Sequence, residues 1–133
     1  QPSHLSLTVI AVLGLINLGR GSIHMLAPDG GLEMIAGLDI SAAPQIILSF
    51  IAAIGAGQLT FALVDFAAAV RFRTFVRPLL LTHTAQQALT VFLLFVWRPL
   101  PHDVPGQWAA LAALVIIGFF TALEYSRKPH AAA

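Results

Sequence analysis

Long stretches almost free of charge constrain this chain more than any other feature of its sequence. Ala43 to Val70 contains no Lys or Arg and only one acidic residue, Asp65. Pro78 to Trp97 and Val104 to Leu123 contain no Lys, Arg, Asp or Glu. A helix needs about 20 mostly apolar residues to cross the roughly 30 Å hydrocarbon core of a bilayer. The sequence therefore predicts a membrane-spanning helix in each of these three segments.

A fourth, shorter hydrophobic segment comes first in the chain. Its uncharged part, Leu5 to Gly19, is too short alone, so we extend the helix through Arg20 to about Ala27, where Pro28 and two glycines must end it. Charged residues make up only 10% of the chain, against about 25% in a soluble domain. We predict one all-α domain over residues 1–133, an integral membrane four-helix bundle with spans at about 5–27, 43–70, 78–97 and 104–125.

The orientation of the bundle follows from its basic residues, because Lys and Arg in short loops stay on the cytoplasmic side. Most of them fall in the turn at 71–77 and in the C-terminal tail: Arg71, Arg73, Arg77, Arg127 and Lys128. The loops at 28–42 and 98–103 hold no such excess and should face outward. The sequence thus predicts an antiparallel bundle with both ends inside, and we expect it in a bacterial inner membrane.

Two helix starts carry local signals. Ser41 is the predicted N-cap of the second span, since its hydroxyl can accept a backbone N–H. Pro78 is predicted at the first position of the third span, where its missing N–H costs nothing.

Two ionisable residues lie deep within predicted spans. Asp65 comes six residues before Arg71, and His83 comes six residues after Arg77. In an antiparallel hairpin both should lie about 9 Å inside the cytoplasmic boundary. Two readings remain open: a buried hydrogen-bonded pair that fixes helix packing, or a proton-responsive or ligand-binding site.

Further polar residues extend this pair along three helices. Gln58 lies one heptad before Asp65, and the third span carries a stripe of His83, Gln86, Gln87 and Thr90. On the first span, Arg20 shares a face with Asn17 and His24; it either faces the interior or extends to the outer interface. We predict an interior polar seam whose ligand-binding residues are Arg20, Gln58, Asp65, His83 and Gln87.

Two other features have a packing explanation and an alternative. Glu124 is expected to pair with Arg127, with Lys128 or with an arginine of the turn at 71–77, which we call the arginine turn. Small residues of the second span, Ala52, Ala53, Ala56 and Gly57, allow close helix contact. That contact is expected within the bundle, the alternative being a homo-oligomer.

Several kinds of chemistry find no support in the sequence. The chain has no Cys, which excludes disulfides and thiolate metal sites. It has no phosphate-binding Gly-Lys motif and no His-Glu-x-x-His motif, and no basic tract that could follow nucleic acid. The sequence indicates no metal site, its cofactors are unknown, and no catalytic residue is assigned.

The layout resembles small four-helix bacterial membrane proteins of the DoxX-like kind. The resemblance rests on chain length, four spans and the glycine-rich outer loop Gly-Arg-Gly-Ser-Ile-His-Met-Leu-Ala-Pro-Asp-Gly-Gly at 19–31. Some members of that group are linked with quinone-dependent or accessory roles in membrane oxidoreductases. The resemblance implies a similar setting here, and it carries no functional residue over.

Three functions are compatible with these observations. The leading hypothesis is a non-enzymatic accessory subunit or binding module for a lipophilic ligand. The second is a membrane enzyme or redox component that handles quinone, with Asp65 and His83 as its proton relay. The third is an oligomeric transporter or channel. The expected partners are the lipid bilayer and either further copies of the chain or a larger membrane complex.

Overall fold

The computed structural model describes residues 1–127, whose regular secondary structure is entirely helical. Its long helices are α1 (His4–Leu26), α2 (Pro44–Val70), α3 (Val76–Phe92) and α4 (Pro105–Ser126). A one-turn 3-10 helix, Arg73–Phe75, leads into α3, and a π-helical turn, Leu93–Trp97, follows it. With those two turns counted as part of α3, each of the four helices is long and apolar enough to cross a membrane.

The ends of α1 have clear local causes. The Ser3 hydroxyl oxygen caps the start by accepting the Ser6 N–H at 3.1 Å. The helix ends at Leu26, two residues before Pro28, because proline cannot continue the hydrogen-bond ladder.

The predicted starts of α2 and α3 need correction. Ser41 is not the N-cap of α2; Ala43 holds that position without a side-chain bond, while the Ser41 N–H donates to Asp39 Oδ1 at 2.8 Å. Pro78 is the third residue of α3, not the first. That position is equally permissive, since the first N–H groups of a helix lack intrahelical partners anyway.

Helices α1 and α2 approach closely at a pair of glycines. A Cβ atom on Gly21 would lie 2.8 Å from the Gly55 carbonyl oxygen, and one on Gly55 would lie 2.8 Å from that of Gly21. Of the four small residues of α2 expected to pack closely within the bundle, Ala52 is half-buried, but the expectation is wrong for Ala53, Ala56 and Gly57. These three are exposed, and a Cβ on Gly57 would meet nothing within 4 Å.

The inter-helix contacts follow a regular order. Along α1, Gly14 lies against Phe66 of α2, whereas the later Gly21 meets the earlier Gly55. Between α3 and α4, Arg77 contacts Glu124, and further along α3 the Thr84 hydroxyl contacts that of Thr121, earlier in α4, at 2.8 Å. Helix α1 packs mainly on α2 and α3 on α4, while α1 also touches α3 and α4.

The molecule buries a small apolar core and exposes many large apolar side chains. Ile10, Ala68, Val76 and Leu80 form the buried cluster. By contrast, side chains such as Leu63, Leu89 and Phe119 are more than half exposed. An apolar surface this extensive is compatible with lipid around the helices and costly in water.

Candidate functional site

Asp65 and His83 meet in the interior between α2 and α3. His83 Nε2 lies 2.8 Å from Asp65 Oδ1, and both side chains are buried, with 2% and 0% exposure. The contact confirms that these two residues meet, each six positions from the arginine turn; their depth in a membrane stays a prediction. A buried charge needs a partner of this kind, because isolated carboxylates are strongly disfavoured in an apolar medium.

Two further side chains contact this pair. Asn17 of α1 donates from Nδ2 to the second carboxylate oxygen, Asp65 Oδ2, at 3.3 Å. The ring of Phe61 lies against the His83 ring, with centroids 5.4 Å apart. Three helices therefore converge on one carboxylate, and both of its oxygens accept a hydrogen bond.

Gln58 lies one heptad from Asp65 on α2, and its amide is one of two in the described residues whose buried oxygen has no partner; the other is that of Gln107, whose Nε2 donates to Asp103. Its Oε1 atom is buried and finds no hydrogen-bond partner among residues 1–127. An amide oxygen left without a donor in an apolar interior costs about 1–3 kcal/mol. We call Asn17, Gln58, Asp65 and His83 the interior cluster.

The other predicted seam residues do not join the interior cluster. Arg20 is exposed, and in the described part of the chain it forms no ion pair, as expected of a side chain that extends to the interface. Gln87 is half-buried, and no hydrogen bond links it to the residues described. The ligand-binding role of all five residues stays a prediction.

The predicted polar stripe of α3 is divided between two faces. His83 points into the bundle, whereas Gln86 and Thr90 line a groove of about 530 Å³ along the outer face of α3. Residues three and seven positions apart share one broad side of a helix, yet that side is not uniform here: His83 is buried, whereas Gln86 and Thr90 are only half-buried.

A second buried polar cluster lies at the C-terminal end of α4. Glu124 is 1% exposed and pairs with Arg77, whose Nε donates to Oε1 at 2.9 Å. Its Oε2 atom accepts the hydroxyls of Ser3 at 2.8 Å and Ser6 at 2.6 Å, together with the Ser3 N–H at 3.3 Å. We call these four residues the terminal cluster.

The terminal cluster was partly predicted. The arginine turn was one expected partner of Glu124, and Arg77 fills that role. Lys128, another candidate, lies outside the described residues. The two serines were missed, because they are more than a hundred positions from Glu124 and only their hydroxyl groups hint at such a role.

Residues 1–127 contain no group of three or more His, Asp or Glu side chains that could hold a metal ion. His24 is bound locally instead, with Nδ1 2.8 Å from the Gly30 carbonyl oxygen. Comparison with protein-family models, with curated proteins and with solved structures gives no significant match.

Proposed function

We propose that this chain is a polytopic membrane protein that binds a lipophilic molecule in its interior, as an accessory subunit or binding module. The single observation that carries the proposal is the buried, unpartnered Oε1 atom of Gln58. In hydrocarbon no solvent is at hand to satisfy such an atom, so a bound molecule with a hydrogen-bond donor fits this position. The expected ligand is an apolar molecule that carries a hydroxyl or N–H group.

The arrangement we propose is an antiparallel bundle with both ends in the cytoplasm of a bacterium. The order of contacts between α1 and α2 and between α3 and α4 supports antiparallel neighbours. The arginine turn at 71–77 supports the orientation. We also propose a relationship to the DoxX-like proteins, which is supported by chain length, four spans and the glycine-rich loop.

The proposal is tested by identifying what copurifies with the protein. Wild-type protein, Gln58→Leu and the control Thr60→Val are purified in a mild detergent, and bound small molecules are identified by mass spectrometry. Thr60 is exposed on the same helix, with its hydroxyl bonded to the Ala56 carbonyl oxygen. We expect one lipophilic compound on wild type and on Thr60→Val, and its loss from Gln58→Leu. Absence of any such compound, or its retention by Gln58→Leu, would refute the proposal.

A second candidate is a quinone-handling redox component, which the Asp65–His83 pair favours. A buried carboxylate 2.8 Å from an imidazole can pass a proton to and from a bound quinol hydroxyl. The acceptor on Gln58 suits the quinol form, which carries the hydroxyl donors.

This candidate predicts loss of quinol turnover in native membranes for Asp65→Asn and for His83→Ala, with folding retained. If both variants only lower thermal stability, the pair is structural. Arg98→Gln in the outer loop is the matched control, because Arg98 is exposed.

A further inference from the structure

A cationic cavity opens beside the turn between α2 and α3. Its volume is about 540 Å³, and Arg71, Arg73 and Arg77 all line it. The other lining residues are Phe72, Thr74, Gln1 and Pro2. Three guanidinium groups around one cavity provide the forked donors that recognise phosphate oxygens.

The charge in this cavity is largely uncompensated. Arg77 pairs with Glu124, whereas Arg71 and Arg73 form no ion pair within residues 1–127. The Arg71 guanidinium carbon lies 6.0 Å from the centroid of the Phe72 ring, close enough for a cation–π contact. The cavity therefore carries a net positive charge suited to an anion.

An apolar cavity lies directly beside the cationic one. It measures about 340 Å³ and is lined only by apolar side chains: Val64, Ala67, Ala68, Phe72 and Phe75. Phe72 lines both cavities. Membrane orientation by basic residues requires positive charge at this end of the bundle, but it requires neither a shaped cavity nor an adjoining apolar groove.

We infer that the two cavities together bind one anionic phospholipid. The phosphate group lies among Arg71, Arg73 and Arg77, and an acyl chain follows the apolar side chains past Phe72 along α2. The negative charge of the headgroup complements the unpaired arginines, and the acyl chain covers exposed apolar surface of the protein. This inference rests on the membrane setting of the proposed function, but not on the interior ligand site near Gln58.

The test measures how many lipids remain on the purified protein, by native mass spectrometry. Mixed micelles contain either dioleoyl phosphatidylglycerol or dioleoyl phosphatidylcholine. The variants are the double change Arg71→Gln and Arg73→Gln, the change Ala67→Phe that fills the apolar cavity, and the control Arg98→Gln. A parallel experiment measures the shift in thermal unfolding produced by inorganic phosphate, which has the negative charge of a phospholipid headgroup but no acyl chain.

We expect one phosphatidylglycerol on wild type and on Arg98→Gln, and little phosphatidylcholine on either. The double arginine change should weaken phosphatidylglycerol binding at least about tenfold. Ala67→Phe should also weaken it while leaving any response to inorganic phosphate unchanged, and Gln58→Leu should leave it intact.

Three results would overturn the inference. The first is equal phosphatidylglycerol retention by the double arginine variant, and the second is an equal loss in Arg98→Gln. The third is full phosphatidylglycerol binding by Ala67→Phe together with a thermal stabilisation by inorganic phosphate that the double arginine change abolishes, which would indicate a site for free anions.

Discussion

The terminal and interior clusters are both buried, polar and built from more than two segments of the chain, yet they differ in how completely their atoms are paired. Both oxygens of Glu124 are occupied, by one guanidinium, two hydroxyls and one N–H. In the interior cluster the Asp65 carboxylate is paired as well, but the oxygen of Gln58, one heptad away on α2, has no partner among the described residues.

This difference separates a role in folding from a role in binding. A fully paired carboxylate has little capacity left for a ligand, so the terminal cluster is best explained as a clamp that ties the start of α1 to α3 and α4. An unpaired acceptor costs stability and is better explained by a bound group. The following predictions test that division.

The largest expected effect is that of Glu124→Ala. Removing this carboxylate leaves Arg77 and the hydroxyls of Ser3 and Ser6 without their acceptor. We expect a loss of about 3 kcal/mol in the free energy of unfolding, at the low end for buried pairs because Arg77 is 36% exposed. Reversible unfolding in mixed micelles measures it. Glu33→Gln, at an exposed position of the loop between α1 and α2, should change stability by less than about 0.5 kcal/mol. Equal losses in both variants would contradict the clamp.

A glycine substitution should disturb the interior cluster alone. Gly21→Ala places a Cβ 2.8 Å from the Gly55 carbonyl oxygen, which must push α1 away from α2 and lengthen the Asn17–Asp65 contact. We expect a loss of about 2 kcal/mol, measured in the same unfolding experiment. Gly57→Ala is the matched control, since its new methyl group meets nothing within 4 Å; it should be neutral or slightly stabilising. A tolerated Gly21→Ala would show that the close approach is unimportant.

The strength of the Asp65–His83 contact can be isolated by a double-mutant cycle. Stability is measured for wild type, Asp65→Ala, His83→Ala and the double variant. We expect a coupling energy of about 1 kcal/mol, because interhelical hydrogen bonds in membrane proteins rarely contribute more. A coupling near zero would mean that the two side chains are neighbours without a stabilising bond.

The smallest and most local effect concerns Asp29 in the loop between α1 and α2, a carboxylate bound only by backbone N–H groups. The N–H groups of Met34, Gly31 and Glu33 donate to it. These bonds, led by that of Met34, lower the pKa of Asp29 below its usual 3.8. Its contribution is therefore fully present above the usual pKa and is lost as the pH falls through the lowered value.

Hydrogen exchange of the loop amides measures this effect. Protection of the Gly31 and Met34 amides should persist at neutral pH and disappear only in strong acid. Asp29→Ala should lose that protection at neutral pH, and Asp39→Ala serves as the control in the same loop. Protection that does not depend on Asp29 would contradict this role of the carboxylate.

The sequence predicted much of the site but not its division into two clusters. Counting from the arginine turn brought Asp65 and His83 together, because helical rise converts residue number into depth. Helical spacing, by contrast, placed Gln86 and Thr90 on one stripe with His83, although they line an outer groove. Depth fixes one coordinate of a helical residue, whereas its facing direction depends on how each helix is rotated in the bundle.

By itself the sequence determined that four helices form and that each can cross a membrane, since length and lack of charge are properties of a segment alone. Only the tertiary structure decided which glycines meet, which serines bind Glu124 and which buried amide oxygens lack a partner among residues 1–127. Those outcomes depend on the rotation and separation of helices, which arise from packing among side chains distant in the chain. Local patterns do not encode that information.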